Sequence, residues 1–258
     1  MNYFDDECKI IEHFQGVKTC ETLLISTGVD CEKLFTCINN QSMWENWIFS
    51  GGKSAPPPDF YSDKYKLMMD VMRVDDHTHK IKGKFVNETN AKESKIQNEL
   101  KISGLKDNFP NTNFIVNAIT DLPTEKDHNY SWYKESFERV LNEHNKKVEL
   151  YKKNHPGYKI IFFVFDESTL YFETIEKINS VKSGMSVEGK VHLFFQDASF
   201  LNFIKNLNID YLIWYAPYKY AQAIDGIIDL PKVVIFKIKD INIEAVYYNK
   251  NMMISAEV

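Results

Sequence analysis

Glycine, cysteine and long apolar runs are scarce in this chain, and each shortage excludes a class of protein. The 10 glycines among 258 residues show no Gly-X-Y period, which excludes a collagen-like structure. The four cysteines include no Cys-x-x-Cys pair, so they lack the spacing of a zinc site and are expected to be reduced thiols. The longest apolar run, Ile160–Phe165, is too short to cross a bilayer, which takes roughly 20 helical residues.

The composition that remains predicts a globular, cytoplasmic protein. Hydrophobic residues make up 44% of the chain and aromatic residues 14%, which excludes wholesale disorder. The N-terminus is acidic, whereas a secretory leader is basic and then apolar. No internal segment is long or polar enough to divide the chain. We therefore expect one domain, 1–258, with a helical N-terminal part, 1–50, and a sheet-containing core, 56–258.

Periodicity predicts helices that alternate with buried strands. Residues 130–153 have the pattern of a long amphipathic helix, and residues 158–165 follow as a strand that is apolar on both faces. The other predicted elements are the strand Leu67–Val74, helices at 91–104 and 198–206, and strands at 190–195, 210–215, 232–238 and 242–248. This alternation indicates an α/β or α+β fold with a central mixed sheet flanked by helices.

Asp70 interrupts a strand that otherwise consists of apolar side chains and Arg73. A buried carboxylate is costly unless it is paired or bound to a cation, and Arg73 points to the opposite strand face. Asp59 lies eleven residues upstream, and a short hairpin would bring the two carboxylates together. A divalent cation relieves the repulsion between such carboxylates. The alternatives are a hydrogen-bonded structural role for Asp70 and a turn cap for Asp59.

The segments that carry these two acids resemble the PD-(D/E)XK nuclease superfamily: they are Pro58-Asp59 and, after a gap, Asp70-Val71-Met72 in an apolar strand. The order of helices, a hairpin, a long helix and another apolar strand is similar to that family's restriction-endonuclease-like core. The resemblance implies that Asp59 and Asp70 bind Mg²⁺ or Mn²⁺, with Glu45 on the preceding helix as a third acidic group.

The chain departs from this family at the lysine that positions and activates the attacking water. That lysine stands two residues after the second acid, where this chain has Met72. Methionine can neither donate a hydrogen bond to water nor polarise it. The resemblance implies either a lysine supplied from elsewhere, such as Lys66, Lys92 or Lys95, or a member that has lost catalysis.

A local excess of lysine offers a surface for DNA. Residues 80–106 carry seven lysines against three glutamates, a net charge of +4, in a chain whose overall charge is −5. An acidic protein has to meet nucleic acid through such a local basic surface. The lysines expected to contact DNA are Lys80, Lys82, Lys84, Lys92 and Lys95. A solvated lysine-rich face is the alternative.

Two further clusters are secondary candidates for chemistry. Asp166 and Glu167 follow the predicted strand 158–165, at the end where open α/β sheets bind ligands, or else they cap a following helix. His77 and His79 share one face of an extended chain, which permits joint zinc ligation, although a polar turn explains them as well.

Together these features predict a Mg²⁺-dependent nuclease or nuclease-like protein that hydrolyses phosphodiester bonds in DNA. The resemblance implies a bacterial or phage defence setting. The first alternative is a non-catalytic interaction protein that keeps the fold and binds a protein partner. The second is a phosphate- or sugar-processing enzyme centred on Asp166 and Glu167. The sequence predicts no membrane contact and leaves a homodimer open.

Overall fold

The computed structural model describes residues 4, 6–25, 29–50, 58–104, 108, 128–178 and 187–256. Their helices are α1 (Glu7–Phe14), α2 (Val29–Asn39), α3 (Gln41–Trp44), α4 (Glu88–Ile102), α5 (Tyr130–Asn145), α6 (Val148–Asn154) and α7 (Ala198–Ile204). The first seven strands are β1 (Thr22–Leu24), β2 (Ile48–Phe49), β3 (Phe60–Ser62), β4 (Leu67–Val74), β5 (His79–Ile81), β6 (Lys84–Val86) and β7 (Lys159–Asp166). The later strands are β8 (Tyr171–Thr174), β9 (Gly189–Val191), β10 (Tyr211–Tyr215), β11 (Tyr220–Ala223), β12 (Gly226–Asp229), β13 (Val233–Lys237) and β14 (Met253–Ser255).

A seven-stranded mixed sheet forms the centre of the fold, which confirms the predicted class. The strand order is β1-β13-β10-β7-β4-β3-β2. Strands β4 and β10 flank β7 and run parallel to it, whereas β13 runs antiparallel to β10 and β3 runs antiparallel to β4. Because β7 is central and covered on both sides, it has the near-continuous apolar sequence of a strand buried on both faces.

Helices cover both faces of this sheet. On one face, Phe162 of β7 packs in a core cluster with side chains of α5, α6 and α7, including Phe137 and Tyr151. On the other face, Phe163 packs in a second cluster with side chains of α1 and α2, including Phe14. Because successive side chains of β7 point to opposite faces of the sheet, they contribute to two separate cores.

Several predicted elements differ from the structure. The helix predicted at 130–153 is divided into α5 and α6 by a turn at Lys146 and Lys147. The strand predicted at 242–248 is absent from the described chain, because this segment pairs only through an isolated bridge between Val246 and Asp197. The strand predicted at 190–195 ends at Val191 and continues into a 3₁₀ turn. The N-terminal part also contributes β1 and β2 to the central sheet, so it is not purely helical.

The cysteines are free, and Cys31 and Cys37 are buried, which agrees with the expected reduced thiols. In the described part of the chain, we find no helix with both the length and the apolar character needed to cross a bilayer.

Candidate metal centre at the Asp59–Asp70 pair

The β3–β4 hairpin brings Asp59 beside Asp70, as the sequence predicts. Phe60 pairs with Met69 in this hairpin, so the residues that follow the pair at the open end are Asp59 and Asp70. Asp59 Oδ2 accepts a hydrogen bond from the backbone amide of Val71 at 2.7 Å. Strand β3 begins at Phe60, whereas β4 continues to Val74, and no strand among the described residues pairs with β4 on that side beyond Met69. The two carboxylates therefore lie where the paired strands separate.

Asp70 is held on the other side by two helices. It is only 3% exposed, and its Oδ2 lies 2.5 Å from Nδ1 of His144 on α5. The hydroxyl of Tyr151 on α6 donates to the same oxygen at 2.9 Å. These contacts supply the hydrogen bonds that a buried carboxylate requires.

The proximity of the two acids changes the protonation of Asp59. Burial and the neighbouring charge of Asp70 raise the pKa of Asp59 from 3.8 to about 7, and Glu7 of α1 acts in the same direction. The hydrogen bond from the Val71 amide opposes this rise only in part. Near pH 7, Asp59 is therefore partly protonated, and a cation placed between the two carboxylates would favour its ionised form.

A cavity of about 300 Å³ opens beside the pair. Its walls come from α1, α5 and the part of β4 that extends beyond its pairing with β3. The lining residues are Phe4, Glu7, Ile10, Val71, Met72, Arg73, Val140, Glu143 and His144. The cavity thus combines two further glutamates with the imidazole that contacts Asp70. Sequence reasoning missed Glu7, Glu143, His144 and Tyr151, and no local motif marks them.

Glu45, the predicted third acid, and Lys66, one of the predicted substitute lysines, make their contacts away from this pair. Glu45 is exposed, and its neighbour Asn46 accepts a hydrogen bond from Ser62 at the opposite end of the hairpin. Lys66 lies in the turn of the hairpin with φ of 53°, roughly 13 Å along the strand from Asp70 at about 3.3 Å per residue. Its ammonium group contacts the Tyr158 ring at 4.9 Å.

Met72, at the position of the family lysine, lies between the core and the cavity wall. Met72 is only 3% exposed and belongs to the core cluster that contains α5. Arg73 is the cationic residue in the cavity wall, and it forms a two-pronged ion pair with Glu167, with contacts of 2.9 and 3.0 Å. The cavity wall contains no lysine among the described residues.

The predicted DNA-contacting lysines are exposed on a hairpin and a helix beyond β4. Lys80, Lys82 and Lys84 lie on the β5–β6 hairpin, whose two-residue turn has positive φ at Lys82 and Gly83. Lys92 and Lys95 are exposed on α4, and Lys106 lies outside the described residues. Each of these five lysines is therefore accessible to solvent.

Contacts through α5 place this hairpin next to the cavity. The guanidinium group of Arg139 on α5 lies 4.5 Å from the ring centre of Phe85 on β6. The same guanidinium is 3.9 Å from the carboxylate of Glu143, which lines the cavity. One turn of α5 therefore separates the hairpin contact from the cavity wall.

In the predicted cluster of Asp166 and Glu167, Asp166 makes its contacts inside the protein. Asp166 is fully buried, and its Oδ2 accepts hydrogen bonds from Tyr133 at 2.5 Å and Trp214 at 2.9 Å. The ammonium group of Lys219, which is 2% exposed, lies 3.5 Å away, and burial lowers the pKa of this lysine. The residues after Glu167 form a loop that leads into β8, so the predicted helix is absent there. Asp166 thus anchors a buried polar network.

The structure groups His77 with Asp76 and His128, whereas the ring of His79 faces another partner. The His79 ring stacks on Trp132, with ring centres 3.9 Å apart and planes inclined by 12°. His77 instead lies beside Asp76 and His128. Hydrogen bonds and packing across the fold, which the extended-strand pattern does not contain, decide this arrangement.

No protein-family model, no curated protein and no solved structure matches this chain.

Proposed function

We propose that this protein is a divalent-metal-dependent, nuclease-like protein that acts on DNA at the Asp59–Asp70 pair. The observation that carries this proposal is the meeting of two carboxylates at the open end of a hairpin, beside a cavity of about 300 Å³. The rise in the pKa of Asp59, caused by burial and by Asp70, favours a site that accepts a cation.

The residues of the pair fit Mg²⁺ or Mn²⁺. Mg²⁺ prefers carboxylate oxygens, and one or two carboxylates suffice because the ion keeps several waters. Val71, His144 and Tyr151 contact the Oδ2 atoms of the pair, and Asp59 and Asp70 would together hold the ion. The adjacent cavity has the volume to hold water and a phosphate group.

The chemistry would be shared between the bound ion, the two aspartates and His144. When bound, a divalent cation polarises a phosphodiester and makes water more acidic. Asp70 orients the imidazole of His144 through Nδ1, which leaves Nε2 as the nitrogen that takes a proton from water in the cavity. In this assignment His144 takes the role that the resemblance gives to a lysine at position 72.

The basic surface on the β5–β6 hairpin and α4 would hold the DNA backbone. Its lysines are exposed, and the hairpin contacts the same helix, α5, that forms part of the cavity wall. Lysine contacts to phosphate position a duplex without reading its sequence. We therefore assign backbone binding to this surface and cleavage to the cavity.

The order of elements also supports a nuclease-like core. The short helix α3 precedes three antiparallel strands, β2, β3 and β4, and α5 then leads into β7, which pairs with β4 in parallel. The resemblance requires two acids on the hairpin of such a core, and Asp59 and Asp70 occupy those places. The buried Met72 favours a second candidate, a protein that binds DNA or a protein partner without cleaving DNA.

Plasmid and oligonucleotide cleavage tests the proposal. The full chain would be incubated with supercoiled plasmid and with single- and double-stranded oligonucleotides, in Mg²⁺, in Mn²⁺ and in EDTA. We expect metal-dependent cleavage that falls by at least roughly 100-fold in Asp59→Asn and Asp70→Asn. Glu45→Gln is the matched control, because this exposed carboxylate is not brought to the pair.

The outcomes separate the two candidates. DNA binding without cleavage by the folded wild-type protein would support the non-catalytic candidate. Cleavage that persists unchanged in both aspartate variants would rule out this site. Circular dichroism of each variant checks that lost cleavage does not reflect unfolding.

A further inference from the structure

Three residues from two distant segments meet just beyond the end of β4. Asp76 and His77 follow this strand, and His128 stands two residues before α5. The backbone amide of Asn129 donates to the carbonyl oxygen of Asp76 at 3.2 Å. The side chain of Asn129 also caps α5 by accepting from the amide of Ser131. These contacts fix His128 relative to Asp76.

The spacing of their polar atoms is that of a metal site. Oδ1 of Asp76 lies 3.2 Å from Nδ1 of His128 and 3.5 Å from Nε2 of His77. The potential ligand atoms of all three residues lie within 4.8 Å of one another. In a tetrahedral zinc site with bonds of about 2.0–2.1 Å, the ligand atoms are about 3.3 Å apart. The two distances from Asp76 already have this value.

The other oxygen of Asp76 is held by the protein. Asp76 is 0% exposed, and its Oδ2 accepts a hydrogen bond from the Tyr171 hydroxyl at 2.5 Å and from the Thr169 amide at 3.2 Å. Carboxylates that bind metals are characteristically fixed by such supporting hydrogen bonds. Nδ1 of His128 lies 3.2 Å from both oxygens of Asp76, and Oδ1 is the oxygen that also faces His77.

We propose that Asp76, His77 and His128 form a binding site for a transition-metal ion, with Zn²⁺ as the preferred ion. Two imidazoles and one carboxylate suit zinc, whereas magnesium selects oxygen ligands. Three protein ligands leave a fourth position for water or another molecule. The histidine side chains are 19% and 13% exposed, which gives the ion a path from solvent.

This site is separate from the Asp59–Asp70 pair. Asp76 lies six residues beyond Asp70, roughly 20 Å along an extended chain at about 3.3 Å per residue. The two sites share no ligand, and they differ in the ions they prefer. Zinc binding at Asp76 can therefore be tested independently of nuclease activity.

Metal titration of the EDTA-treated full chain tests the site. We expect one equivalent of Co²⁺ to produce the visible absorption of a tetrahedral complex, and one equivalent of Zn²⁺ to abolish it by competition. His77→Gln and His128→Gln should each weaken Zn²⁺ binding by at least roughly 100-fold, beyond the effect of losing a supporting hydrogen bond. Tyr171→Phe, which removes such a bond, should weaken it by roughly 10-fold.

His79→Gln is the matched control, because the His79 ring stacks on Trp132 outside the cluster. It should bind Zn²⁺ like the wild type, and so should Asp59→Asn. The absence of saturable Zn²⁺ or Co²⁺ binding by the folded wild-type protein would overturn the proposal. Unchanged affinity in both His77→Gln and His128→Gln would overturn it as well. Circular dichroism confirms that each variant is folded before its affinity is compared.

Discussion

Nδ1 of His144 lies 2.5 Å from Oδ2 of Asp70, which joins helix α5 to the carboxylate that interrupts the apolar strand β4. Tyr151 donates to the same oxygen from α6. Asp70 therefore has a structural role through Oδ2, and the proposed function adds a role in binding a cation. Each role predicts a different response to substitution.

Replacing His144 tests both roles. His144→Phe leaves Asp70 without one of its two donors, and we expect unfolding in urea to require about 1–3 kcal/mol less free energy. If His144 also accepts a proton in the cavity, cleavage should fall by roughly 100-fold or more while DNA affinity is unchanged. Tyr151→Phe is the control, since it removes the other donor and leaves the imidazole. Equal losses of cleavage in the two variants would argue against a proton-transfer role for His144.

The raised pKa of Asp59 predicts a pH-dependent stability. Burial and Asp70 raise this pKa from 3.8 to about 7, so between these values the folded protein binds a proton that the unfolded chain releases. The contribution of Asp59 to stability is therefore present below about pH 4 and is lost as the pH rises to about 7. Asp59→Asn should remove this loss.

Urea unfolding in EDTA at pH 5 and pH 8 measures the effect. One pKa unit corresponds to about 1.4 kcal/mol, so we expect Asp59→Asn to gain roughly 1–3 kcal/mol relative to the wild type between these two pH values. Groups that do not interact with Asp59 cancel in the comparison. A difference between the two proteins that does not change with pH would contradict the raised pKa.

The buried network around Asp166 predicts a large effect on stability. Asp166→Asn removes the carboxylate paired with the buried ammonium group of Lys219 and leaves only the charge of Asp76, which should cost about 3–5 kcal/mol in the free energy of unfolding. The double variant Asp166→Asn, Lys219→Met removes both charges and should recover part of that loss. Thermal unfolding of the two variants makes the comparison. A double variant less stable than Asp166→Asn alone would show that the ion pair is not the source of the cost.

The basic hairpin predicts a salt-dependent DNA affinity. Replacing Lys80, Lys82 and Lys84 with alanine should reduce the slope of log affinity against log salt by up to about 3, since each phosphate contact contributes about 0.9. Fluorescence anisotropy of a labelled duplex at several salt concentrations measures this slope. Lys239→Ala is the control, because this exposed lysine follows β13, which β10 and β7 separate from β4 in the sheet. An unchanged slope in the triple variant would exclude the hairpin as a DNA contact.

The long strands were predictable from sequence because both of their faces are apolar. β4, β7, β10 and β13 are close to their predicted positions, and the hairpin that would bring Asp59 to Asp70 is present. Short strands such as β8 and β14 were missed, since they carry too few residues for a periodic pattern. Their pairing joins segments about eighty residues apart in sequence.

The side-chain contacts that complete the candidate sites were not predictable either, because they also join segments that are distant in sequence. His144 and Tyr151 reach Asp70 across 74 and 81 residues of sequence, and His128 reaches Asp76 across 52. No local motif encodes such contacts, because the packing of α5 and α6 on the sheet creates them. The residue type at Met72 was visible in the sequence, but its place in the core was not.

Metal binding by the Asp59–Asp70 pair is tested most directly by Mn²⁺ titration of the full chain in a His77→Gln background, which weakens the second site. We predict saturable binding of one Mn²⁺ that Asp59→Asn abolishes and Glu45→Gln preserves. Binding of equal strength in the Asp59→Asn protein, or none in its folded parent, would contradict a metal centre at this pair.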